Sequence, residues 1–394
     1  MAKKLIIAAH SARGYAQAAV ACGYDVIALD AFADEDTQAV STQTYKLKFD
    51  DFVLDAADFK HVFLGINLDE VDGFLYGSLF DNCPDVLAWV ARRIRLVGNV
   101  PEVTRVAKSL EFFKFLDDLG IAFPEVLINE KNHQPSFPRR RESILTLKTT
   151  SKKMDSRLRG NDREGKDWLT KTIGGTGGTH VKTATSTDFG DYFQSKIDGK
   201  PISMLFVADR KTAYLIGFNE QFVAPTVELP YRFAGAVGGI KLAPNIHEAF
   251  EHVAQQLTSA LNLRGINSLD AILDGENLWI LELNPRLSAT FQLYENLLPL
   301  HLQGCAGDLK AFERQQHSSN AQLILYADDA LEISADFAWP DWVADIPAVE
   351  SGETSVKISQ DAPICSVLAE AENAETAHTL VLQRAKTLRE TMLE

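Results

Sequence analysis

The chain is poor in sulfur and in positive charge. Its four cysteines in 394 residues, Cys22, Cys83, Cys305 and Cys365, stand far apart with no CxxC pair. That fits reduced thiols in a cytoplasmic setting better than a disulfide framework or a zinc site. Lys and Arg number 39 against 54 Asp and Glu, a formal net charge of −15. Such a balance opposes broad contact with nucleic acid or an anionic membrane, so any anionic ligand must be met by local basic groups. No apolar run reaches the length of a membrane span, and the opening MAKKLIIAAH is too short in its apolar part for a signal peptide. Two phosphate-binding signatures are also missing: the first βα turn, His10-Ser11-Ala12-Arg13-Gly14, lacks GxGxxG spacing, and no GxxxxGK[ST] occurs. What remains is ordinary in composition, 46% hydrophobic and 24% charged, and long enough for two or three domains that serve small molecules.

The most informative stretch is GINSLDAILDGENLWILELNPRLSATFQLYEN, from Gly265 to Asn296. It reads as two strands, LDAIL and LWILEL, joined by the turn Asp274-Gly275-Glu276-Asn277. Glu282 and Asn284, two apart, project from one face, with Asp270 able to lie opposite. Three oxygen donors of this kind suit a hard cation such as Mg²⁺ that also keeps phosphate oxygens and water. Isolated acids in a surface hairpin are commonly just solvated, but Glu282 lies within WILEL, where an unpaired carboxylate is costly. Arg286 follows Pro285, and its planar fork suits a phosphate or carboxylate.

The chain opens as a βαβ unit: KLIIAA as a buried strand, Tyr15 to Cys22 as a helix, Asp25 to Leu29 as a second strand. Ser11 is a candidate helix cap and Arg13 a candidate anion contact. HVFLGI and GFLYGS read as further strands, and the turn Gly77-Ser78-Leu79-Phe80-Asp81 falls at the carboxyl edge where open α/β sheets bind ligands, although a plain turn would read the same. A helical pattern from Pro101 to Leu119 carries Lys108 and stops at Gly120. The strand DWLTK ends at Lys171 and leads to a turn with Gly174, Gly175, Gly177 and Gly178, whose N–H groups can close around phosphates; a flexible hairpin tip would look the same. PISMLFVADRKTAYLIGFNE reads as antiparallel strands, Tyr231 to Gly239 as another Gly-rich loop, and Ile246 to Leu261 as an amphipathic helix. Beyond Cys305, LILYA, APICSVLAEA and a closing helix make a small β-rich lobe.

From Asn129 to Lys166 the chain turns basic, polar and aperiodic, which reads as a loop or insertion at about 131–165. SFPRRRES, Ser136 to Ser143, can be written in codons whose reverse complement, read from its second base, encodes DSRLRGN, Asp155 to Asn161. A palindromic DNA element translated in frame is therefore expected, and a gene with no inverted repeat there would contradict it. The alternative is a nucleic-acid-binding arm on Arg139 to Arg141.

A strand with Lys, a Gly-rich loop, antiparallel strands, a helix and a hairpin ending in ELNPR, in that order, resembles the ATP-grasp superfamily from about Asn99 to Glu295. AAHSARGYAQAAVACGYDVIALDAFADEDT, GSLFD, VGNVPEV and ELNPRLSAT further resemble its branch linked to methanopterin- and methanofuran-type one-carbon carrier biosynthesis, which includes tyramine–glutamate ligases. That branch commonly has GSGFE where this chain has GSLFD, a difference that bears on the shape of the substrate pocket. The resemblance implies an α/β fold, α+β in part, with a Rossmann-like domain at 1–98, an ATP-grasp core at 99–304 and a carboxyl-terminal lobe at 305–394. It implies that Lys108 and Lys171 hold ATP phosphates under the loop Gly174, Gly175, Gly177 and Gly178. Asp270, Glu282 and Asn284 would then hold Mg²⁺ (or Mn²⁺), and Arg286 would bind the γ-phosphate or an acyl phosphate. The implied function is ligation of a small carboxylate to an amine, with ATP binding without turnover and phosphoryl transfer to a carboxylate as alternatives. A homodimer is the expected assembly.

Overall fold

The computed structural model describes residues 3–50, 52–128, 167–185, 190–310 and 318–393. The expected insertion, with Arg139 to Arg141, lies outside them.

The chain begins with a five-stranded parallel sheet. In sheet order its strands are Gln43–Lys46, Tyr24–Asp30, Lys3–Ala9, Gly73–Tyr76 and Leu96–Val97. Both faces are covered, so Leu5 to Ala9 form an unbroken buried apolar run. HVFLGI, expected as a strand, is instead the end of a helix, Ala56–Leu64. Asp55 caps that helix by accepting from the N–H groups of Ala57 and Asp58, and Phe59 and Phe63, four apart, enter the core. A capped i,i+4 aromatic pair outweighs the strand preference of so short a run.

Two helices, Pro101–Ala107 and Glu111–Asp118, replace the single one expected through Leu119. The first ends at Lys108, whose φ of −104° and ψ of 26° leave the helical region. Lys108 is thus aimed from a helix end rather than spread along a helix flank.

A four-stranded antiparallel sheet orders Lys182–Thr183, Trp168–Lys171, Tyr192–Ser195 and Val126–Ile128. The largest sheet has eight strands: Asn277–Asn284, Arg264–Asp274, Lys200–Asp209, Ala213–Val223, Phe233–Gly238, Ser319–Tyr326, Pro363–Ala371 and Val343–Ala344. Strands from beyond residue 318 therefore extend the sheet that carries the acidic hairpin. Tyr231 to Gly239, expected as a loop, supplies one of its inner strands; a Cβ on Gly235 would overlap the Gln322 carbonyl, so glycine there serves close strand packing.

The helix Pro244–Leu261 covers this sheet with Ile246, Phe250, Val253, Leu257 and Leu261, an apolar stripe at helical spacing, and ends at Asn262 in the left-handed region. Truncating fully buried Leu257 to Ala would cost about 2–5 kcal/mol. Buried Asn99 joins the parallel sheet to the hairpin. Its Nδ2 donates to Asn267 Oδ1 at 2.8 Å and to the Pro285 carbonyl at 2.9 Å, while its Oδ1 accepts the Arg264 N–H.

Candidate functional site

The hairpin register places Asp270 directly opposite Glu282 and Ser268 opposite Asn284. The pairing slips between Asp270 and Ala271, a bulge that bends the ladder beside the acids. Asn284 Nδ2 donates to Asp270 Oδ2 at 3.0 Å, and Gln221 Nε2 donates to Asp270 Oδ1 at 3.1 Å. Burial, and then the charge of Glu282, pushes the Asp270 carboxyl above its ordinary range. Burial also acts upward on Glu282, but Lys108 outweighs it and holds that carboxyl low. The three residues expected to ligate metal thus sit together. Among the described residues no cluster of three or more His, Cys, Asp or Glu forms. The set is two carboxylates and an amide, which suits a hard cation that retains water and phosphate oxygens rather than zinc.

The cations meet this set from two sides. Lys108 Nζ donates to Glu282 Oε1, donates to Asn284 Oδ1 at 2.6 Å, and lies 3.4 Å from Asp81 Oδ2. Arg286 grips Asp81 with two bonds, Nε to Oδ1 at 3.2 Å and Nη2 to Oδ2 at 2.6 Å, and Nη2 also reaches Asn284 Oδ1 at 2.8 Å. Lys171, on the four-stranded sheet, donates to Gln194 Oε1 at 2.7 Å. Burial pulls its ammonium down to about 8 against the opposing pull of Glu282 and Asp270. Lys108, Lys171, Gly174, Gly175, His180 and Glu282 line one cleft.

The glycine turn is held by close approach. A Cβ on Gly174 would stand 2.9 Å from Asn82 Cα, and one on Gly178 would overlap the Tyr231 carbonyl; both have left-handed backbones, with φ of +73° and +72°. The His180 ring occupies the space beside Gly175, and the Gly177 carbonyl accepts the Phe233 N–H at 2.9 Å.

Several residues give only a partial sequence signal or none. Asp81 closes a turn that was legible as a sheet-edge candidate, but its pairing with Arg286 was not. His180, Gln194 and Gln221 belong to no motif. Ser11 is not the helix cap expected of it. Ala12 holds the cap position with no side-chain bond, Asp30 Oδ2 accepts the Ala12 N–H at 2.7 Å, and Ser11 Oγ donates to Asp345 Oδ1. The anion that Arg13 meets is the carboxylate of Asp345, at 2.8 Å.

These residues fit a magnesium nucleotide. Two facing carboxylates share a partly buried site with an amide oxygen, and beside Lys171 the buried His180 Nδ1 and Gln194 Nε2 have no hydrogen-bond partner among the described residues. Donors and a cation demand of that kind match phosphate oxygens together with a hard metal ion.

Residues 108–290 match the family model described as the ATP-grasp domain. No curated protein matches the chain. Among solved structures, the biotin carboxylase domain of Hydrogenobacter thermophilus 2-oxoglutarate carboxylase, in complex with MgADP, ADP and bicarbonate, is similar at a TM-score of 0.69 and 12% identity, over 96% of this chain and 88% of that one. N5-carboxyaminoimidazole ribonucleotide synthetase from Thermotoga maritima is similar at 0.60 and 13%, over 98% of each chain. The Staphylococcus aureus N5-carboxyaminoimidazole synthetase, complexed with ADP, is similar at 0.65 and 14%, over 97% of each. At such identities the likeness is one of fold. The chain has a mixed α/β ATP-grasp fold. No helix among the described residues is long and apolar enough to cross a membrane.

Proposed function

We propose that this chain is an ADP-forming carboxylate–amine ligase that uses ATP with Mg²⁺ or Mn²⁺. The observation that carries the reading is the single, partly buried network in which Lys108 and Arg286 meet Glu282, Asn284 and Asp270, with Lys171 lining the same cleft as Lys108 and Glu282. Phosphoryl transfer asks a protein for alignment and charge neutralisation more than for a side-chain nucleophile, and this network supplies both.

In this reading Lys108 and Lys171 neutralise ATP phosphate oxygens, and the loop Gly174 to Gly178 covers them with backbone N–H groups. Asp270, Glu282 and Asn284 would hold the metal ion, whose charge offsets that of the phosphates when it is bound. A substrate carboxylate oxygen attacks the γ-phosphorus and ADP leaves. Arg286 steadies the transferred group. The amine nitrogen then attacks the acyl carbon, inorganic phosphate leaves with the bonding electrons, and the nitrogen gives up a proton.

The finer reading is glutamate joined to an amine such as tyramine in one-carbon carrier biosynthesis. It rests on the resemblance of AAHSARGYAQAAVACGYDVIALDAFADEDT, VGNVPEV and ELNPRLSAT to that branch. ADP formation measured with MgATP, glutamate and tyramine, each omitted in turn, tests it. Dependence on both substrates supports the ligase. Dependence on the acid alone, with a hydroxamate formed on adding hydroxylamine, supports phosphoryl transfer to the acid. MgATP binding without ADP release supports a nucleotide-binding protein without turnover.

A further inference from the structure

One carboxylate from the parallel-sheet domain touches two of the cations assigned above to phosphate. The Asp81 side chain is 1% exposed. Its two oxygens engage the Arg286 fork, and Oδ2 also stands 3.4 Å from Lys108 Nζ. The turn that carries it packs against the glycine loop, since Gly174 lies against Asn82 Cα and the Asp81 carbonyl. Burial alone would raise the Asp81 carboxyl, but Arg286 and then Lys108 outweigh it and hold it low, so it carries its charge.

The donor count defines what this contact does. A guanidinium has five N–H groups in a fixed plane. Nε and Nη2 serve Asp81, Nη2 serves Asn284 as well, and Nη1 donates to the Leu287 carbonyl at 3.3 Å. One Nη1 hydrogen is left over, with its direction set by the other four. Without Asp81 two buried cations would face each other across Asn284 Oδ1 with less charge to balance them, and the fork would lose the two bonds that fix its plane.

We propose that Asp81 is a positioning residue that orients Arg286 and tempers the positive charge of the phosphate site, coupling the parallel-sheet domain to the transfer step. This rests on the reading of the site as an ATP-dependent ligase. Removing its charge, with the shape kept, should strengthen anion binding and weaken turnover. A merely structural residue would move both in the same unfavourable direction.

The test uses the full chain and its Asp81→Asn and Asp81→Glu variants, with MgADP binding followed by calorimetry and ADP formation followed with the acid and amine present. Asp81→Asn is expected to bind MgADP about threefold or more tighter and to lose about tenfold or more in kcat. Asp81→Glu keeps the charge but shifts the fork by one methylene, so its MgADP affinity should stay within about threefold and its kcat should fall between the other two. Should Asp81→Asn not fold, Asp81→Glu carries the test through its loss of kcat at unchanged affinity. Unchanged kcat in the variants that fold, or parallel loss of affinity and kcat, overturns the proposal. Failure of the unaltered chain to bind MgADP overturns the ligase reading and this inference together. MgADP binding with unchanged variants overturns the inference alone.

Discussion

Asp270 and Glu282 face each other across one rung of an antiparallel ladder, with Asn284 Nδ2 bonded to Asp270. Like charges placed so closely are unfavourable unless cations offset both; Lys108 pairs with Glu282, while Asp270 makes no ion pair among the described residues and is raised above its ordinary range. Mg²⁺ is therefore expected to strengthen ADP binding to the intact chain. Glu282→Gln should reduce that strengthening about tenfold or more, a loss in the range of perturbed metal sites. Calorimetric ADP titrations with and without Mg²⁺ check this, and an unchanged Mg²⁺ effect in the variant would remove Glu282 from the metal site.

Lys171 is expected to set a pH limit on nucleotide binding. Burial lowers its ammonium to about 8, so the charge is present below that pH and is lost as pH rises through it. MgADP affinity should fall between pH 7 and 9, and Lys171→Arg, which stays charged, should flatten that fall. An equally steep fall in Lys171→Arg would place the titrating group elsewhere.

The glycine loop offers a paired comparison. Gly177 and Gly178 share the left-handed region, at φ of +64° and +72°, yet a Cβ on Gly177 would meet nothing within 4 Å while one on Gly178 would strike Tyr231. Gly177→Ala should cost about 1 kcal/mol of backbone strain. Gly178→Ala should cost more and also weaken MgADP binding, because the loop must move away from Tyr231. Thermal unfolding with and without MgADP separates the two effects, and equal behaviour of the two variants would contradict the packing account.

His301 makes stability depend on pH. Burial holds its imidazole down at about 4. The neutral ring satisfies both nitrogens: Nδ1 accepts the Ile266 N–H at 2.9 Å, and Nε2 donates to the Val97 carbonyl at 3.1 Å. A base whose folded pKa lies below its unfolded value of 6.5 supports the fold fully above 6.5. That support fades as pH falls towards about 4, by up to roughly 3 kcal/mol. Asp30 and Asp34, pushed up by burial to about 6 and about 7, act oppositely, because acidification relieves them. The variant His301→Gln should therefore show a shallower loss of Tm than the parent between pH 6.5 and 4.5. Parallel profiles would deny His301 this role.

Much of the site was legible because its signals are local. The turn Asp274 to Asn277 and the alternation around it define the hairpin and hence the facing of Asp270 and Glu282, and Lys171 precedes its glycines on a short strand. Expectation and structure differ where packing overrides composition. His61 to Ile66 looks like a strand until the Asp55 cap and the Phe59–Phe63 pair are seen, and Tyr231 to Gly239 looks like a loop until Gly235 is found pressed against Gln322. The Asp81–Arg286 pair joins residues 205 positions apart, and no motif spans that distance. Nor does periodicity reveal that the helix at Pro101 stops so as to present Lys108.

The most direct measurement is ADP formation from MgATP by the intact chain and by Arg286→Met, with glutamate and tyramine present together and singly. The account predicts ADP release that requires both substrates and falls at least about a hundredfold in the variant, as expected when a charged group that steadies a transferred phosphoryl is removed. ADP release indifferent to Arg286, or a chain to which MgATP does not bind, would contradict it.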